Sequence, residues 1–419
     1  MDYIKRDLEQ TIKEYLNTPE IIAILGPRQS GKTTLMDHIF QTLESAVFLS
    51  FEDRKLLELF VEDEKTFAEL YAKNNRYLFI DEFQYAKEGG QKLKYIYDHY
   101  PKTKILVSGS SAPGLTIHDI KYLVGRIFVF NLYPLSFEEL LRYKNESLFN
   151  IYLEKKEAVK TYLFKKDKLP EVSAALIEML NEIYGEYMIY GGYPRVAISK
   201  TDEEKRTVLR NIYSTYFLRE IKDVLGLTTD FNLSKLIKAL SLQLGGLISY
   251  QSLGEVSGFG YEELMTHLNI LEKTFICKRV PPFFTNKRSE IIKVPKIYFF
   301  DNGFRNTVID DFRVSGIRQD IGQMNENFIF TQLTYAGMEV KFWRSKSKAE
   351  VDFVIEKEGL IAIESKSGGR GETKSLISFK EKYKPDKTII ACKDILVDRS
   401  GTTYLPFVFI SSLYERPFS

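Results

Sequence analysis

The stretch Gly26-Pro27-Arg28-Gln29-Ser30-Gly31-Lys32-Thr33-Thr34 decides how the first third of the chain is read. It has the spacing G-x-x-x-x-G-K-[S/T], follows the apolar run Ile21–Leu25, and opens a helical pattern over Thr33–Leu43. Strand, glycine turn and helix in that order form a cradle for phosphates, because loop amides and the helix N-terminus point at one anion. Gly26 and Gly31 are expected to let the backbone wrap close to the phosphates. Pro27, Arg28, Gln29, Ser30 and Thr34 are expected to line the bound nucleotide. Lys32 should reach the β- and γ-phosphates, and the Thr33 hydroxyl should ligate Mg²⁺.

A second stretch completes that site. Tyr77–Ile80 is apolar and ends at Asp81-Glu82. Asp81 is placed to hold the magnesium shell at the strand's carboxyl end, and Glu82 to activate the attacking water. Lys104–Val107 leads into Ser108-Gly109-Ser110, where Ser108 or Ser110 could sense the γ-phosphate or merely cap the following helix. Arg126 follows Gly125 and is either a phosphate-facing or trans-acting arginine or an ordinary surface arginine.

Working outward, Glu20–Leu25, Ala46–Phe51, Tyr77–Ile80, Lys104–Val107 and Arg126–Leu132 read as buried parallel strands alternating with helices. The fold class is therefore multidomain α/β, with a doubly wound P-loop sheet over residues 1–135. Beyond Pro134 the strands vanish, and residues 136–228 read as a helical lid. Residues 229–300 show helices followed by two strand-like pieces, the order of a winged helix. Lys287 and Arg288 fall at its wing tip, suited to phosphate contact. The candidate recognition helix, from Tyr261, begins with Glu262-Glu263 and has no arginine, so packing against protein is the other reading.

With 419 residues, several domains are expected, since single cores stop growing at roughly 250–300 residues. A net charge of +2 excludes a global polycation and leaves only a local patch for nucleic acid. Two cysteines, Cys277 and Cys392, and four histidines argue against disulfides and zinc. No run approaches the ~20 apolar residues of a membrane helix, and the amino terminus lacks a signal-peptide core, so a cytoplasmic protein is expected.

The last section, 301–419, carries its own chemistry. Asp352 interrupts the apolar strand Val351–Ile355, Glu364 interrupts the next one, and Lys366 shares the face of Glu364. A turn between the strands would bring Asp352 and Glu364 together, a pair that asks for Mg²⁺ or Mn²⁺. Glu326 is a candidate third carboxylate. This is the Asp…Glu-x-Lys arrangement of restriction-like nucleases, in which Lys366 would stabilise charge on a phosphodiester. The competing reading is a structural salt-bridge cluster of Asp352 or Glu364 with Lys366 or Arg344.

Taken together, GPRQSGKTTL, FIDEFQ, SGSSA, GRIFVFNLYPLSFEEL, YGGYPR, PPFFTNKRSEIIKVPKIYFFDNG, NENFIF, EVDFVI and IAIESKSG make the chain resemble, nearly end to end, a group of prokaryotic ATP-binding proteins. In that group an AAA-type core is fused to a C-terminal domain of unassigned function. The resemblance implies an ATPase core, a helical segment, a winged helix and a restriction-endonuclease-like end domain. It marks Gln84, Arg126 and Arg195 as motif positions, and Ser365 departs from the apolar residue usual between Glu and Lys. The expectation is an ATP- and Mg²⁺-dependent hydrolase coupled to a nuclease-like domain acting on DNA. The alternative is an ATP-switched signalling or DNA-binding regulator whose end domain does not cut. AAA-type cores often form rings, so a homo-oligomer is also in view.

Overall fold

Five apolar runs form one all-parallel sheet: β1 (Ile21–Gly26), β2 (Ala46–Ser50), β3 (Tyr77–Asp81), β4 (Lys104–Ser110) and β5 (Ile127–Asn131), in the order β2-β3-β4-β1-β5. The computed structural model describes residues 3–110, 120–165, 167–218, 221–222, 225–284, 293–357, 359–368 and 371–414. Side chains alternate across the pleat. Ile21, Ala23, Leu25, Leu78, Ile80, Ile105 and Val107 enter one core, and Ile22, Ile24, Tyr77, Phe79 and Leu106 enter another on the opposite face. Two buried faces explain why these strands carry almost no polar residues, and helices cover both. Helix α1 (Leu8–Tyr15) and α2 (Lys32–Phe40) supply one layer; α3 (Arg54–Glu62), α4 (Glu64–Tyr71) and α5 (Gly89–His99) supply the other.

After β5 the chain is helical: α6 (Phe137–Lys144), α7 (Glu146–Lys165), α8 (Ala174–Tyr190), α9 (Pro194–Ala197) and α10 (Asp202–Asn211). Helix α6 begins at a capping box, with Ser136 and Glu139 each accepting the other's backbone N–H at 3.2 and 2.9 Å. Helix α10 continues into π-helical turns over Ile212–Leu218. Three further helices, α11 (Phe231–Leu242), α12 (Tyr250–Ser257) and α13 (Tyr261–Lys273), lead to an antiparallel pair, β6 (Cys277–Val280) and β7 (Lys296–Phe299). Lys287 and Arg288 lie outside the described residues.

Helix α14 (Asn302–Val308) precedes α15 (Ile321–Tyr335), which packs on a six-stranded mixed sheet. Its strands are β8 (Val340–Arg344), β9 (Glu350–Glu356), β10 (Leu360–Ser365), β11 (Lys387–Cys392), β12 (Val397–Arg399) and β13 (Thr402–Pro406), ordered β12-β13-β11-β10-β9-β8. One continuous core runs from Leu135 in the helical section through α11–α13 and β7 to Tyr414. The helical section and the C-terminal sheet therefore share buried surface, and the five-stranded parallel sheet keeps its own two cores. Cys277 and Cys392 are buried free thiols. Among the described residues, no helix is long and apolar enough to cross a membrane.

Candidate functional site

Strand β1 ends at Gly26, and the loop that follows returns the chain to α2 through Gly31, whose φ of +95° only glycine adopts without strain. Gly26 has a different reason. A Cβ there would stand 2.1 Å from the carbonyl oxygen of Leu132, so Gly26 lets the ends of β1 and β5 close together. Pro27 and Gly26 offer their carbonyls to the Lys32 ammonium, each at 3.0 Å, and Gln29 adopts a positive φ of 56°. Arg28 donates to the Tyr85 hydroxyl at 3.1 Å. The buried Ser30 hydroxyl has no hydrogen-bond partner among the described residues, and it sits inside the phosphate loop.

Because β4 lies between β1 and β3, its side chains stand between the phosphate loop and Asp81. Thr33 donates to one Asp81 oxygen at 2.7 Å, and Ser108 donates to the other. Ser108 is fully buried within β4, and its hydroxyl is engaged with Asp81. Ser110 pairs in register with Gly26 and is the serine beside the phosphate loop. Glu82 leaves β3 with φ of +54° and accepts a hydrogen bond from Gln84. The Thr33–Asp81 pair fits a magnesium ion: a hydroxyl and a carboxylate already face each other at the carboxyl end of the sheet.

A cavity of about 440 Å³ opens over this loop, large enough for a nucleotide. Arg28, Gln29, Gly31, Lys32, Thr33, Thr34 and Glu82 line it from the parallel-sheet unit, and Pro194, Arg195 and Ile198 from α9 and its end. Tyr3, Ile4 and Arg6 line it from the amino-terminal segment, a contribution that local sequence patterns do not signal. Arg6 is buried and donates to the Ser30 carbonyl at 2.7 Å, to the Tyr133 carbonyl at 2.7 Å and to Glu139 at 3.0 Å. Burial alone would raise the Glu139 pKa, but Arg6 and the N–H groups of Asp7 and Ser136 hold it below the ordinary value.

The phosphate-facing reading of Arg126 is corrected within its own chain. Ile21 pairs with Ile127, so Arg126 stands past the amino-terminal edge of β1, and Gly26 is five residues, roughly 16 Å, further along. Arg126 pairs with Asp98 at 3.2 Å and lies over the Tyr97 ring.

In the C-terminal sheet, Phe353 pairs with Ile363 across β9 and β10, which sets Asp352 opposite Glu364. The amide of Ser365 donates to Asp352 at 2.8 Å, and Thr373 donates to Glu364 at 2.7 Å. Lys366 turns its ammonium to the Gly371 carbonyl. Arg344 pairs with Glu350 at 2.9 Å. Neither cation forms the expected ion pair with Asp352 or Glu364. The cation that does serve the cluster is Lys296 of β7, which lies 2.6 Å from Glu350, 3.7 Å from Glu326 and 3.9 Å from Asp352. Its side chain is only 3% exposed. Lysine inside the apolar run Val294–Phe300 was the visible signal for this role.

Burial raises the pKa of Asp352, Glu326 and Glu364, with the neighbouring Asp352 charge adding to the last two. Burial opposes the Lys296 charge, but Glu326, Asp352 and Glu350 carry its pKa above the ordinary lysine value. A divalent metal on Glu326, Asp352 and Glu364 does not fit this arrangement, because an ammonium already stands between Glu326 and Asp352. Among the described residues, no group of three or more His, Cys, Asp or Glu is arranged to hold a metal ion.

The strand order, the phosphate loop and the Thr33–Asp81–Ser108 contacts define the amino-terminal part as a P-loop ATPase domain of the AAA type. Residues 18–141 match the AAA domain family; residues 181–315 and 321–409 match two domains of unknown function, DUF8612 and DUF4143. An uncharacterized protein of Haemophilus influenzae is 25% identical over 401 residues, 90% of each chain. Another, of Methanocaldococcus jannaschii, is 24% identical over 364 residues, covering 84% of this chain and 75% of its own. Among solved structures, the Walker-type ATPase of Pyrococcus abyssi aligns with TM-score 0.47 and 14% identity over 74% of this chain and 96% of that one. AMPPCP-bound DnaA from Aquifex aeolicus aligns with TM-score 0.27 and 16% identity, over 65% and 90% respectively.

Proposed function

We propose that this chain is a Mg²⁺-dependent ATP hydrolase working as a switch, with its nucleotide state read out by the helical and C-terminal sections. The observation that carries the reading is the Thr33–Asp81 contact beneath a cavity that Lys32, Glu82 and Arg195 also line. Lys32 would exchange the carbonyls of Gly26 and Pro27 for the β- and γ-phosphates. Thr33 and Asp81 would hold Mg²⁺, which when bound neutralises phosphate charge. Glu82 would take the proton of the attacking water, its carboxylate held meanwhile by Gln84. Tyr3, Ile4, Pro194 and Ile198 offer an apolar wall for the base.

The proposed division is an ATPase core over 1–135, a helical lid over 136–228, a winged helix over 229–300 and a nuclease-like domain over 301–419, with DNA the favoured target. Arg195 ties the first two together, because α9 delivers it to the nucleotide cavity. For the last domain, Asp352 opposite Glu364 is the feature that favours phosphodiester cleavage, which a metal could assist only with the Lys296 ammonium withdrawn. The Lys296 ion pairs favour the second reading, an ATP-switched DNA-binding regulator whose end domain does not cut.

The deciding experiment is cleavage of single- and double-stranded DNA and RNA with Mg²⁺ or Mn²⁺, with and without ATP. Wild type, Lys32→Ala and Asp352→Ala are compared. Cutting that requires Asp352 supports the nuclease reading, and dependence on Lys32 shows that ATP gates it. Intact ATPase activity with no cutting leaves the regulator. Loss of neither phosphate release nor nucleotide binding in Lys32→Ala would remove the ATPase reading itself.

A further inference from the structure

Lys296 belongs to a part of the chain that precedes the C-terminal sheet, yet its ammonium lies inside that sheet's carboxylate cluster. Strand β7 is held on both sides. It pairs with β6 from Cys277↔Phe299 to Val280↔Lys296, and on its other side Gly245 and Ile248 donate to the carbonyls of Ile297 and Pro295 at 2.9 and 3.0 Å. The backbone position of the lysine is thus fixed on both sides, and its side chain is buried.

The groups that meet it come from two other elements. Glu326 arrives from α15, where Tyr298 also donates to it at 3.1 Å. Glu350 and Asp352 arrive from one face of β9 at 2.6 and 3.9 Å. Glu350 gives one oxygen to Lys296 and the other to Arg344, so its charge is divided between two cations, while Glu326 and Asp352 face Lys296. Three carboxylates at these distances from one point would ordinarily gather a divalent cation, since mutual repulsion in a buried site must be offset. Here an ammonium, with three donors, stands at that point.

We infer that the Lys296 ammonium is the built-in cation of this carboxylate site, so that divalent metal is kept out while β7 is seated against α15 and β9. The site is complete without metal, and a metal enters it only if β7 withdraws its lysine. The inference shares Asp352 with the end-domain reading above, but it is tested by cation binding and not by cleavage. Failure of one is therefore distinguishable from failure of the other.

The test is Mn²⁺ titration of the nucleotide-free full-length protein, followed by electron paramagnetic resonance. It compares wild type, Asp352→Asn, Lys296→Met and the Lys296→Met/Asp352→Asn double variant. Wild type should show no Mn²⁺ site that Asp352→Asn removes. Lys296→Met should gain one site, at least ~10-fold tighter than any in wild type, and the double variant should lose it. A stoichiometric, Asp352-dependent site in wild type overturns the inference, as does a folded Lys296→Met protein that gains none. Should Lys296→Met not fold in metal-free buffer, refolding decides. Recovery with Mn²⁺, or by adding Asp352→Asn in the same chain, upholds the inference, and recovery by neither overturns it.

Discussion

Arg6 donates from Nη1 to the carbonyl oxygen of Ser30 at 2.7 Å, which fixes the phosphate loop to the amino-terminal segment. The same guanidinium reaches Glu139 of α6 and the carbonyl of Tyr133. The Tyr133 ring in turn stacks on Tyr335 of α15 at a 4.6 Å centroid distance. One side chain therefore touches the glycine-rich loop, helix α6 and the residue that stacks on α15. These contacts run without a break from the glycine-rich loop to α15.

Replacing Arg6 with Ala is expected to destabilise the protein by about 3–5 kcal/mol, because Glu139 is left buried without its cation. Glu139 has a depressed pKa, so its contribution is present above the ordinary carboxylate range and is lost as pH falls through the folded value. The melting-temperature gap between wild type and Arg6→Ala should narrow on acidification. Adding Glu139→Gln should recover part of the loss at neutral pH. Thermal unfolding of the three proteins from neutral to acid pH checks both points.

Glu82→Gln should separate binding from hydrolysis. The amide keeps the shape of the side chain beside Gln84 but cannot accept the proton of water. ATP affinity is expected to stay within a few-fold, and phosphate release to fall by roughly 10²–10⁴. Equilibrium binding of a fluorescent ATP analogue alongside single-turnover phosphate release gives both numbers.

The two motif arginines should behave differently. Arg195 lines the nucleotide cavity, and Arg195→Ala is expected to slow single-turnover hydrolysis roughly 10²-fold. Arg126 sits at the far edge of the sheet, partly exposed and paired with Asp98. Arg126→Ala should leave nucleotide affinity unchanged and alter stability by no more than about 1 kcal/mol. Equal loss of ATP affinity in both variants would contradict this placement.

Asp301 caps α14 and accepts hydrogen bonds from the amides of Phe304 and Gly192, each at 2.7 Å. Its full burial pushes its pKa from 3.8 to about 6. Between those values the folded state binds more protons than the unfolded one, so this group's contribution to stability falls as pH rises and is constant above about 6. The span corresponds to about 3 kcal/mol. Asp301→Asn removes the titration, so its stability relative to wild type should rise from pH 4 to pH 7. Chemical denaturation at three pH values measures the trend, and a flat difference would exclude it.

Much of the nucleotide site was legible because its chemistry is local. Gly31, Lys32 and Thr33 act within one turn, and Asp81-Glu82 follows an apolar strand that can only be buried. The β-hairpin geometry of β9 and β10 was also legible, since the turn between them sets Asp352 opposite Glu364. Gly26 has a further reason that the sequence did not show. Its lack of a side chain serves the closing of β1 on β5, a contact made over a hundred residues away.

What the sequence by itself determined is the five strands of the parallel sheet and the glycine-rich loop that joins β1 to α2, because both arise from periodicity and from spacing along one strand–turn–helix. What only the tertiary structure decided is the identity of the charges that meet. Ser108 reaches Asp81 because β4 inserts between β1 and β3, and Arg126 is carried away from the phosphates because β5 runs parallel to β1. Lys296 enters the carboxylate cluster because β7 packs against α15 and β9. Side-chain chemistry is encoded residue by residue, but which buried charges are close enough to cancel depends on how distant strands are ordered, and no local pattern carries that order.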